Sequence, residues 1–321
     1  MSLSLIPVPE SIKFKRNDPD DVRIGEIIHF AGTEVPEIQS GDICLIGFPE
    51  DRGVTRNHGR EGAKDAPDAV KQAFYKLPAS NSQFGISFHN HRILDLGNID
   101  IGNSLTEAQN RLGHAIAFVL HHDAIPVVIG GGHETAYGHF LGYVEVRKEV
   151  SIINLDAHLD LRSIPSDVIG TSGTPFREIF EHPSGLIDKY SVLGAQPNSN
   201  SETYVEYAKK QTVTIEWLTD FNKHLFEYET SDFIKPSDEN IYLTIDVDGF
   251  RSADAPGTSA AQPFGFKAED IIPFVYRMAK NPKVTSFDIC EINPKFDRDS
   301  QTAKLGAHLI YQFISGVWSR K

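Results

Sequence analysis

The chain is poor in cysteine and has no long apolar run. Its 321 residues include two cysteines, Cys44 and Cys290, both in apolar, strand-like stretches. We therefore expect buried free thiols in a reducing cytoplasm, with no disulfide framework. No run of about 18 apolar residues is present, and no early stretch combines a basic start with a long apolar segment. These absences predict a cytoplasmic protein that is neither secreted nor membrane-spanning.

Basic residues are also scarce relative to acidic ones. The chain has 31 lysines and arginines against 44 aspartates and glutamates, for a formal net charge of −13. Such a balance argues against nucleic acid as a partner and against docking on an anionic membrane. An apolar content of 40% with 23% charged residues is typical of a globular protein that buries a large core.

Strand and helix patterns alternate along most of the chain. Residues 1–40 are polar and predict an N-terminal surface segment, whereas 41–321 predict one catalytic domain. The predicted strands are 42–47, 93–96, 125–130, 151–155, 190–195, 212–216, 241–246 and 284–290. The predicted helices are 65–77, 105–122, 134–148, 200–210, 267–280 and 300–318. Eight strands alternating with helices predict a mostly parallel sheet covered by helices on both faces.

Six potential metal ligands lie in three short segments, each directly after an apolar strand. In an open parallel sheet, sites form beyond the carboxyl ends of the strands, so the three segments should converge. Four carboxylates so close together would repel one another, and two divalent cations would relieve that repulsion. The competing interpretation is that each segment holds ordinary turn and capping residues. The six predicted ligands are His133, Asp156, His158, Asp160, Asp246 and Asp248.

The types of ligand indicate the chemistry. Oxygen and imidazole ligands without cysteine suit Mn²⁺, Fe²⁺, Co²⁺ or Zn²⁺. Asp156 and Asp246 are the most plausible bridges between two ions. Ions about 3.5–4 Å apart hold a shared water and lower its pKa, which supplies hydroxide near neutral pH. Glu291, at the end of the last strand, could accept a hydrogen bond from a substrate nitrogen. A glutamate that faces solvent is the competing interpretation.

Four motifs carry a resemblance to a known superfamily. They are Gly130-Gly-Gly-His-Glu134, Asn154-Leu-Asp-Ala-His-Leu-Asp160, Thr244-Ile-Asp-Val-Asp-Gly249 and Asp288-Ile-Cys-Glu-Ile-Asn-Pro294. In this order they resemble the ureohydrolases, which include arginases, agmatinases and formimidoylglutamases. The resemblance implies a three-layer α/β/α sandwich with an eight-stranded sheet, two Mn²⁺ per chain, and assembly as a trimer or hexamer. It also implies hydrolysis of a carbon–nitrogen bond at an amidine or guanidine carbon.

The resemblance assigns roles to individual residues. One ion would be held by His133, Asp156, Asp160 and Asp246, and the other by Asp156, His158, Asp246 and Asp248. Glu291 matches the substrate-facing glutamate, and Asp160 is the candidate proton relay to the leaving amine. Arginases carry a proton-shuttling histidine after the metal-binding strand, but the stretch 170–176 has none, and Ser172 takes its place. This departure, and the sequence Gly132-His133-Glu134, resemble the formimidoylglutamase branch.

Several arginines near the strand ends indicate an anionic substrate, because arginine binds carboxylates with paired hydrogen bonds. Arg162, Arg251 and Arg56 are the predicted substrate-binding residues. A salt bridge to a neighbouring acid is the competing role for Arg162, and a position on the surface is the competing role for Arg56. Arg52 and Arg60 are better explained as surface residues. We therefore expect a small anionic amidine, N-formimino-L-glutamate, to be hydrolysed to L-glutamate and formamide in histidine degradation. The alternatives are an agmatinase, an arginase or another guanidino-acid amidinohydrolase, and a non-catalytic assembly subunit.

Overall fold

Apolar β-branched segments form the strands, and amphipathic segments form the helices that cover them. The computed structural model describes residues 3–32, 35–164, 170–225 and 227–320. Its strands are β1 (Leu5–Ile6), β2 (His29–Phe30), β3 (Ile43–Gly47), β4 (Ser80–Asn81), β5 (Ile86–Ser87), β6 (Ile93–Ile99), β7 (Ile125–Ile129), β8 (Val150–Leu155), β9 (Ile187–Ala195), β10 (Thr214–Trp217), β11 (Ile241–Asp246) and β12 (Val284–Cys290). Its helices are α1 (Ile24–Ile27), α2 (Arg52–Arg56), α3 (Ala66–Phe74), α4 (Leu105–His121), α5 (Thr135–Val146), α6 (Pro175–Glu181), α7 (Glu202–Lys210), α8 (Leu218–His224), α9 (Thr230–Phe233), α10 (Ala268–Ala279) and α11 (Gln301–Val317).

All eight predicted strands lie in one sheet of ten strands. The order along the sheet is β1-β6-β3-β7-β12-β11-β8-β9-β10, with β2 also paired to β6. Every pairing in this sheet is parallel except that of β1 with β6. The two additional strands, β1 and β2, come from the N-terminal segment. Each has only two residues, too few to show the alternation of apolar and polar side chains that predicts a strand. The division of the chain at residue 40 stays a prediction.

Helices cover both faces of the sheet, which confirms the predicted three-layer α/β/α arrangement. On one face, α3, α10 and α11 contribute Val70, Phe274 and Ile310 to a large apolar core. On the other face, α4, α5, α6 and α7 contribute a second apolar core, which includes Leu112 and Phe140. The central strands β3, β7, β8, β11 and β12 are mostly apolar because both of their faces are buried. Within the described ranges, no helix is long and apolar enough to cross a bilayer.

The strand register brings the predicted site segments to one edge of the sheet. Ile245 of β11 lies opposite Leu155 of β8 and Ile289 of β12. Ile129 at the end of β7 also lies opposite Ile289. Because these four neighbouring strands end at the same level, the residues that follow them all emerge at the same edge.

A buried ion pair fixes α3 to β6. The Nζ of Lys71 lies 2.7 Å from Oδ1 of Asp95, and both side chains are fully buried. Lys71 also donates to the carbonyl of Gly97 at 2.9 Å, and the Tyr75 hydroxyl donates to Oδ2 of Asp95. Every polar atom of the pair therefore has a partner in a region that excludes water.

We expect Lys71→Met to destabilise the fold by about 3–5 kcal/mol, because it leaves the buried Asp95 carboxylate without its counter-charge. The free energy of unfolding, measured by chemical denaturation, tests this. The control is Lys76→Met, which changes an exposed lysine at the end of the same helical segment and should cost less than about 0.5 kcal/mol. Equal stabilities of the two variants would contradict the prediction.

Candidate metal centre

The six predicted ligands lie together at the carboxyl edge of the sheet. They form two groups in which one potential ligand atom from each residue lies within 4.8 Å of the others. The first group contains His133, Asp156, Asp160 and Asp246, and the second contains Asp156, His158 and Asp248. Asp156 is common to both, so the two groups share one carboxylate.

The first group surrounds one nitrogen of His133. Its Nδ1 lies 2.9 Å from Oδ2 of Asp160, 3.3 Å from Oδ2 of Asp246 and 3.4 Å from Oδ2 of Asp156. Its Nε2 lies 3.1 Å from the hydroxyl of Thr244 on β11. When Nε2 carries the proton and donates it to Thr244, the lone pair of Nδ1 faces the three carboxylates. That tautomer offers Nδ1 to a metal ion.

The second group uses the other oxygen of Asp156. Nδ1 of His158 lies 3.4 Å from Oδ1 of Asp156 and 3.3 Å from Oδ1 of Asp248. Asp246, which the resemblance assigns to both ions, belongs only to the first group. Its Oδ1 accepts a hydrogen bond from the backbone N–H of Asp248 at 2.8 Å, and its Oδ2 faces His133.

The local backbone explains how these segments present their side chains. Oδ1 of Asp156 accepts from the N–H of His158 at 2.7 Å, the same turn that Asp246 makes with Asp248. Such turns let an aspartate fix the residue two positions on. Gly131 lies so close to Glu50 that a Cβ there would be 2.0 Å from the carbonyl oxygen, so only glycine fits.

The electrostatics of the site require positive charge. Burial, with the nearby Asp248 and Asp156, raises the pKa of Asp246 well above its ordinary value. Burial likewise raises the pKa of Asp248 to about 6. Burial alone would lower the pKa of His133, but hydrogen bonds to its carboxylates outweigh it and raise that pKa. Asp246 and Asp248 therefore hold their protons more tightly than ordinary carboxyl groups, as expected for buried acids that lie close together.

The residues fit divalent cations. Oδ1 of Asp248 is buried and, although Nδ1 of His158 lies 3.3 Å away, it accepts no hydrogen bond from the described residues. A buried carboxylate oxygen without a hydrogen bond is costly unless a cation binds it. The donor set consists of oxygen and imidazole nitrogen, which suits Mn²⁺ and similar ions. We conclude that the geometry and the donor chemistry both match a binuclear centre.

A cavity of about 260 Å³ opens above the two groups. Seven of the predicted site residues line it, whereas His133 and Asp156 lie buried beneath it. Glu291 is one of the seven, and its Oε1 accepts from the backbone N–H of His133 at 3.0 Å. Burial, with the nearby Asp246, raises the pKa of Glu291 to about 8. The seven are His158, Asp160, Arg162, Ser172, Asp246, Asp248 and Glu291.

Of the three arginines predicted to bind substrate, one lines the cavity and two do not. Arg162 lines the cavity, and no ion pair in the described part of the chain involves it. Arg251 does not line it, contrary to the expectation from its position after Asp248. Its guanidinium makes two contacts with Asp254, at 2.9 and 3.2 Å, which hold it away from the cavity. Arg56 is not a lining residue either, and its guanidinium lies 3.5 Å from the carbonyl oxygen of Gly170.

Asn57 and His58 belong to the cavity wall but were not predicted as site residues. Asn57 donates to the hydroxyl of Ser172 at 3.2 Å, and His58 is exposed beside it with a left-handed backbone (φ 62°). The only indication in the sequence was their place next to Arg56, after the first predicted strand. The long loop after β11 adds Ser259 and Ala260 to the same wall.

Asn154 also contacts a predicted ligand, and its position in the sequence could have indicated this contact. Its Nδ2 donates to Oδ2 of Asp156 at 3.0 Å. Residues two apart on a strand point to the same side, so an asparagine two positions before Asp156 could have been expected to contact it.

Comparison with known proteins decides the family. The model of the arginase family matches residues 41–316. The chain belongs to the arginase family. It is 37% identical to the formimidoylglutamase of Rhodococcus jostii over 290 residues, which cover 86% of each chain. It is 32% identical to the formimidoylglutamase of Enterobacter sp. over an alignment of 323 positions, gaps included, which covers 98% of each chain.

Solved structures of this family share the fold. The crystal structure of Trypanosoma cruzi formiminoglutamase with Mn²⁺ superimposes with a TM-score of 0.85 at 27% sequence identity. The match covers 94% of this chain and 100% of that one. The resemblance inferred from the four motifs is therefore confirmed.

Proposed function

We propose that this arginase-family chain hydrolyses N-formimino-L-glutamate to L-glutamate and formamide. The observation that carries the proposal is the pair of ligand groups that share Asp156 beneath a cavity lined by Arg162. The formimidoylglutamase names of relatives that match most of the chain support the same substrate. Agmatine has no carboxylate for Arg162 to bind.

The proposed cofactor is two Mn²⁺ per chain. His133, Asp156, Asp160 and Asp246 would hold one ion, and Asp156, His158 and Asp248 would hold the other, with Asp246 as a further ligand by resemblance. Bound there, the ions would supply an activated water as nucleophile and stabilise developing negative charge. The T. cruzi relative was crystallised with this metal.

The side chains of the cavity would handle the substrate and the protons. The water oxygen adds to the formimino carbon, and the bond from that carbon to the glutamate nitrogen then breaks. Glu291 would accept a hydrogen bond from the terminal amine of the substrate, and Asp160 would pass a proton to the departing glutamate nitrogen. Ser172, which accepts a hydrogen bond from Asn57, would assist proton transfer at the position where arginases carry their histidine.

Arg162 would bind a carboxylate of the substrate, since it lines the cavity. An arginine in such a place orients an anionic substrate through two parallel hydrogen bonds. Arg56 and Arg251 are not needed for this role, because each is turned to another partner.

The biological setting follows from the substrate. We place the reaction in histidine degradation in the cytoplasm, which agrees with two buried free cysteines. Assembly as a trimer or hexamer is proposed by resemblance to the family alone.

A substrate panel tests the proposed function. The purified, manganese-loaded protein should release formamide and glutamate from N-formimino-L-glutamate with a kcat/KM at least about 100-fold above that for urea release from arginine or agmatine. Faster release of urea from arginine would contradict the assignment. Failure to turn over any amidine would support a non-catalytic subunit.

Arg162→Met should raise KM for N-formimino-L-glutamate by roughly 10- to 100-fold with a smaller effect on kcat. The loss corresponds to about 1.5–3 kcal/mol for a hydrogen-bonded charge pair. Arg251→Met is the matched control, because Arg251 follows a metal segment in the same way but pairs with Asp254. Steady-state kinetics of both variants check the prediction, and equal KM values would count against it.

A further inference from the structure

Asn200 lies outside every motif of the chain, yet its side chain contacts the loop that carries three of the proposed ligands. We define the metal loop as residues 156–160, which follow β8. Oδ1 of Asn200 accepts from the N–H of Leu159 at 2.8 Å, and its Nδ2 donates to the carbonyl of Ala157 at 2.9 Å. Nδ2 also donates to the carbonyl of Gln196 at 2.9 Å, within its own turn. The side-chain amide therefore bridges two positions of the metal loop.

The orientation of this amide is fixed by its partners. An N–H can only donate, so Leu159 must meet the amide oxygen, and the carbonyls of Ala157 and Gln196 must meet the amide nitrogen. Two further hydrogen bonds, from Tyr190 and Gln196, hold backbone carbonyls of the metal loop. The carbonyl of Leu159 accepts from the hydroxyl of Tyr190 at 3.1 Å, and the carbonyl of Ala157 also accepts from the N–H of Gln196 at 2.9 Å.

The metal loop needs such support because it has no regular hydrogen-bonding of its own. It leaves β8 at Asp156 and ends at Asp160 with a left-handed backbone (φ 48°). A non-glycine residue in that conformation costs about 1–2 kcal/mol, and it persists only where the surroundings determine it. Asp156, His158 and Asp160 must nevertheless hold ligand atoms within a few tenths of an ångström of a productive geometry.

We propose that Asn200 is a positioning residue that fixes the metal loop in its ligating conformation, so that metal affinity depends on a side chain that contacts no ion. The inference rests on the proposed metal centre. By this account Asn200 orders the metal loop already in the metal-free protein, because its side chain makes hydrogen bonds to the loop backbone and not to an ion. Partners that orient metal ligands typically change affinity by about 10- to 100-fold when they are removed.

The first experiment compares Asn200→Ala with a matched control. Asn240→Ala removes a side-chain amide that is also half-buried and donates to a backbone carbonyl, that of Glu149 at 2.9 Å. Asn240 directly precedes β11, so it lies at the opposite edge of the sheet from the metal loop. Mn²⁺ titration of the metal-free proteins should show affinity about 10- to 100-fold weaker for Asn200→Ala and unchanged for Asn240→Ala. Equal affinity of Asn200→Ala and the wild type would overturn the inference.

A second variant and a second measurement do not depend on the alanine protein folding. Asn200→Asp keeps the acceptor for Leu159 but points a carboxylate at two carbonyls, so it should also weaken Mn²⁺ binding at least about tenfold. Hydrogen exchange at Leu159 in the metal-free protein should be faster in either variant, because Asn200→Ala removes the acceptor and the carboxylate of Asn200→Asp is repelled by the carbonyls of Ala157 and Gln196. Unchanged exchange would overturn the inference. A wild-type protein that binds no manganese would instead contradict the proposed metal centre. The two failures are therefore distinguishable.

Discussion

Asp156→Asn is expected to remove manganese from both ligand groups and to lower turnover by at least about a thousandfold. Asp156 is the one residue common to the two groups, with Oδ2 facing His133 and Oδ1 facing His158. An amide offers one oxygen, without the negative charge, where the carboxylate offers two. A thousandfold loss is about 4 kcal/mol of transition-state stabilisation, within the several kcal/mol that bound metal supplies.

The matched control is Asp220→Asn, the same change at an exposed position on α8. It should retain two manganese ions per chain and full turnover. Metal content by mass spectrometry and formamide release are measured on the same preparations. An Asp156→Asn protein that keeps both ions and its activity would show that the shared carboxylate has been assigned wrongly.

Removal of the metal by a chelator is expected to abolish activity and to destabilise the fold. An ion that binds only the folded chain stabilises it by about 4 kcal/mol when its free concentration is a thousand times its Kd. Removal also leaves the mutual repulsion of the buried carboxylates to be offset only by protons on the two histidines and on the acids themselves. Thermal unfolding with and without chelator measures the loss, and Mn²⁺ should restore both stability and turnover.

The cost of metal removal should grow as pH rises from about 4 to 8. Asp248 has a folded pKa of about 6 against an ordinary 3.8, and Glu291 has one of about 8 against 4.5. Groups with raised pKa bind more protons in the folded chain than in the unfolded one, so their stabilisation is lost as pH rises through the folded pKa. The contacts of His133 and His158 with carboxylates raise the pKa of both and act in the same direction.

The contribution of Asp156 to stability has the opposite pH dependence, but it changes only at lower pH. Contacts with His133 and His158 outweigh burial and lower its pKa below the ordinary 3.8, so its contribution is lost only in stronger acid. In the manganese-bound protein the ligands are deprotonated by the ions, and metal affinity rises with pH. The difference in unfolding temperature between the bound and metal-free proteins should therefore widen from pH 5 to pH 8. A difference that narrows would contradict this account.

The sequence predicted the strand ends well because two simple regularities determine them. Buried parallel strands are continuous apolar runs, and their carboxyl ends lie at one edge of the sheet. His133, Asp156 and Asp246 could therefore be placed together before any coordinates were known. The six longer helices were also predicted to within three residues of their observed ends; in α4, for example, Leu112, Ile116 and Leu120 recur at helical spacing and are buried.

What the sequence could not predict depends on contacts between distant loops. Asn57 and Asn200 reach the site from irregular segments, where no periodicity predicts the direction of a side chain. Arg251 illustrates the converse limit, because it follows Asp248 closely in the sequence and yet does not line the cavity. A carboxylate three residues further on pairs with it instead, and sequence spacing alone cannot decide between a substrate and a neighbouring side chain.

Anomalous diffraction at the manganese edge, from crystals of the protein loaded with excess Mn²⁺, tests the central claim most directly. The account predicts two strong peaks, one among His133, Asp156, Asp160 and Asp246 and the other among Asp156, His158 and Asp248, with Asp156 contacting both. Loaded crystals without a peak at either position, or with manganese bound only elsewhere, would contradict it.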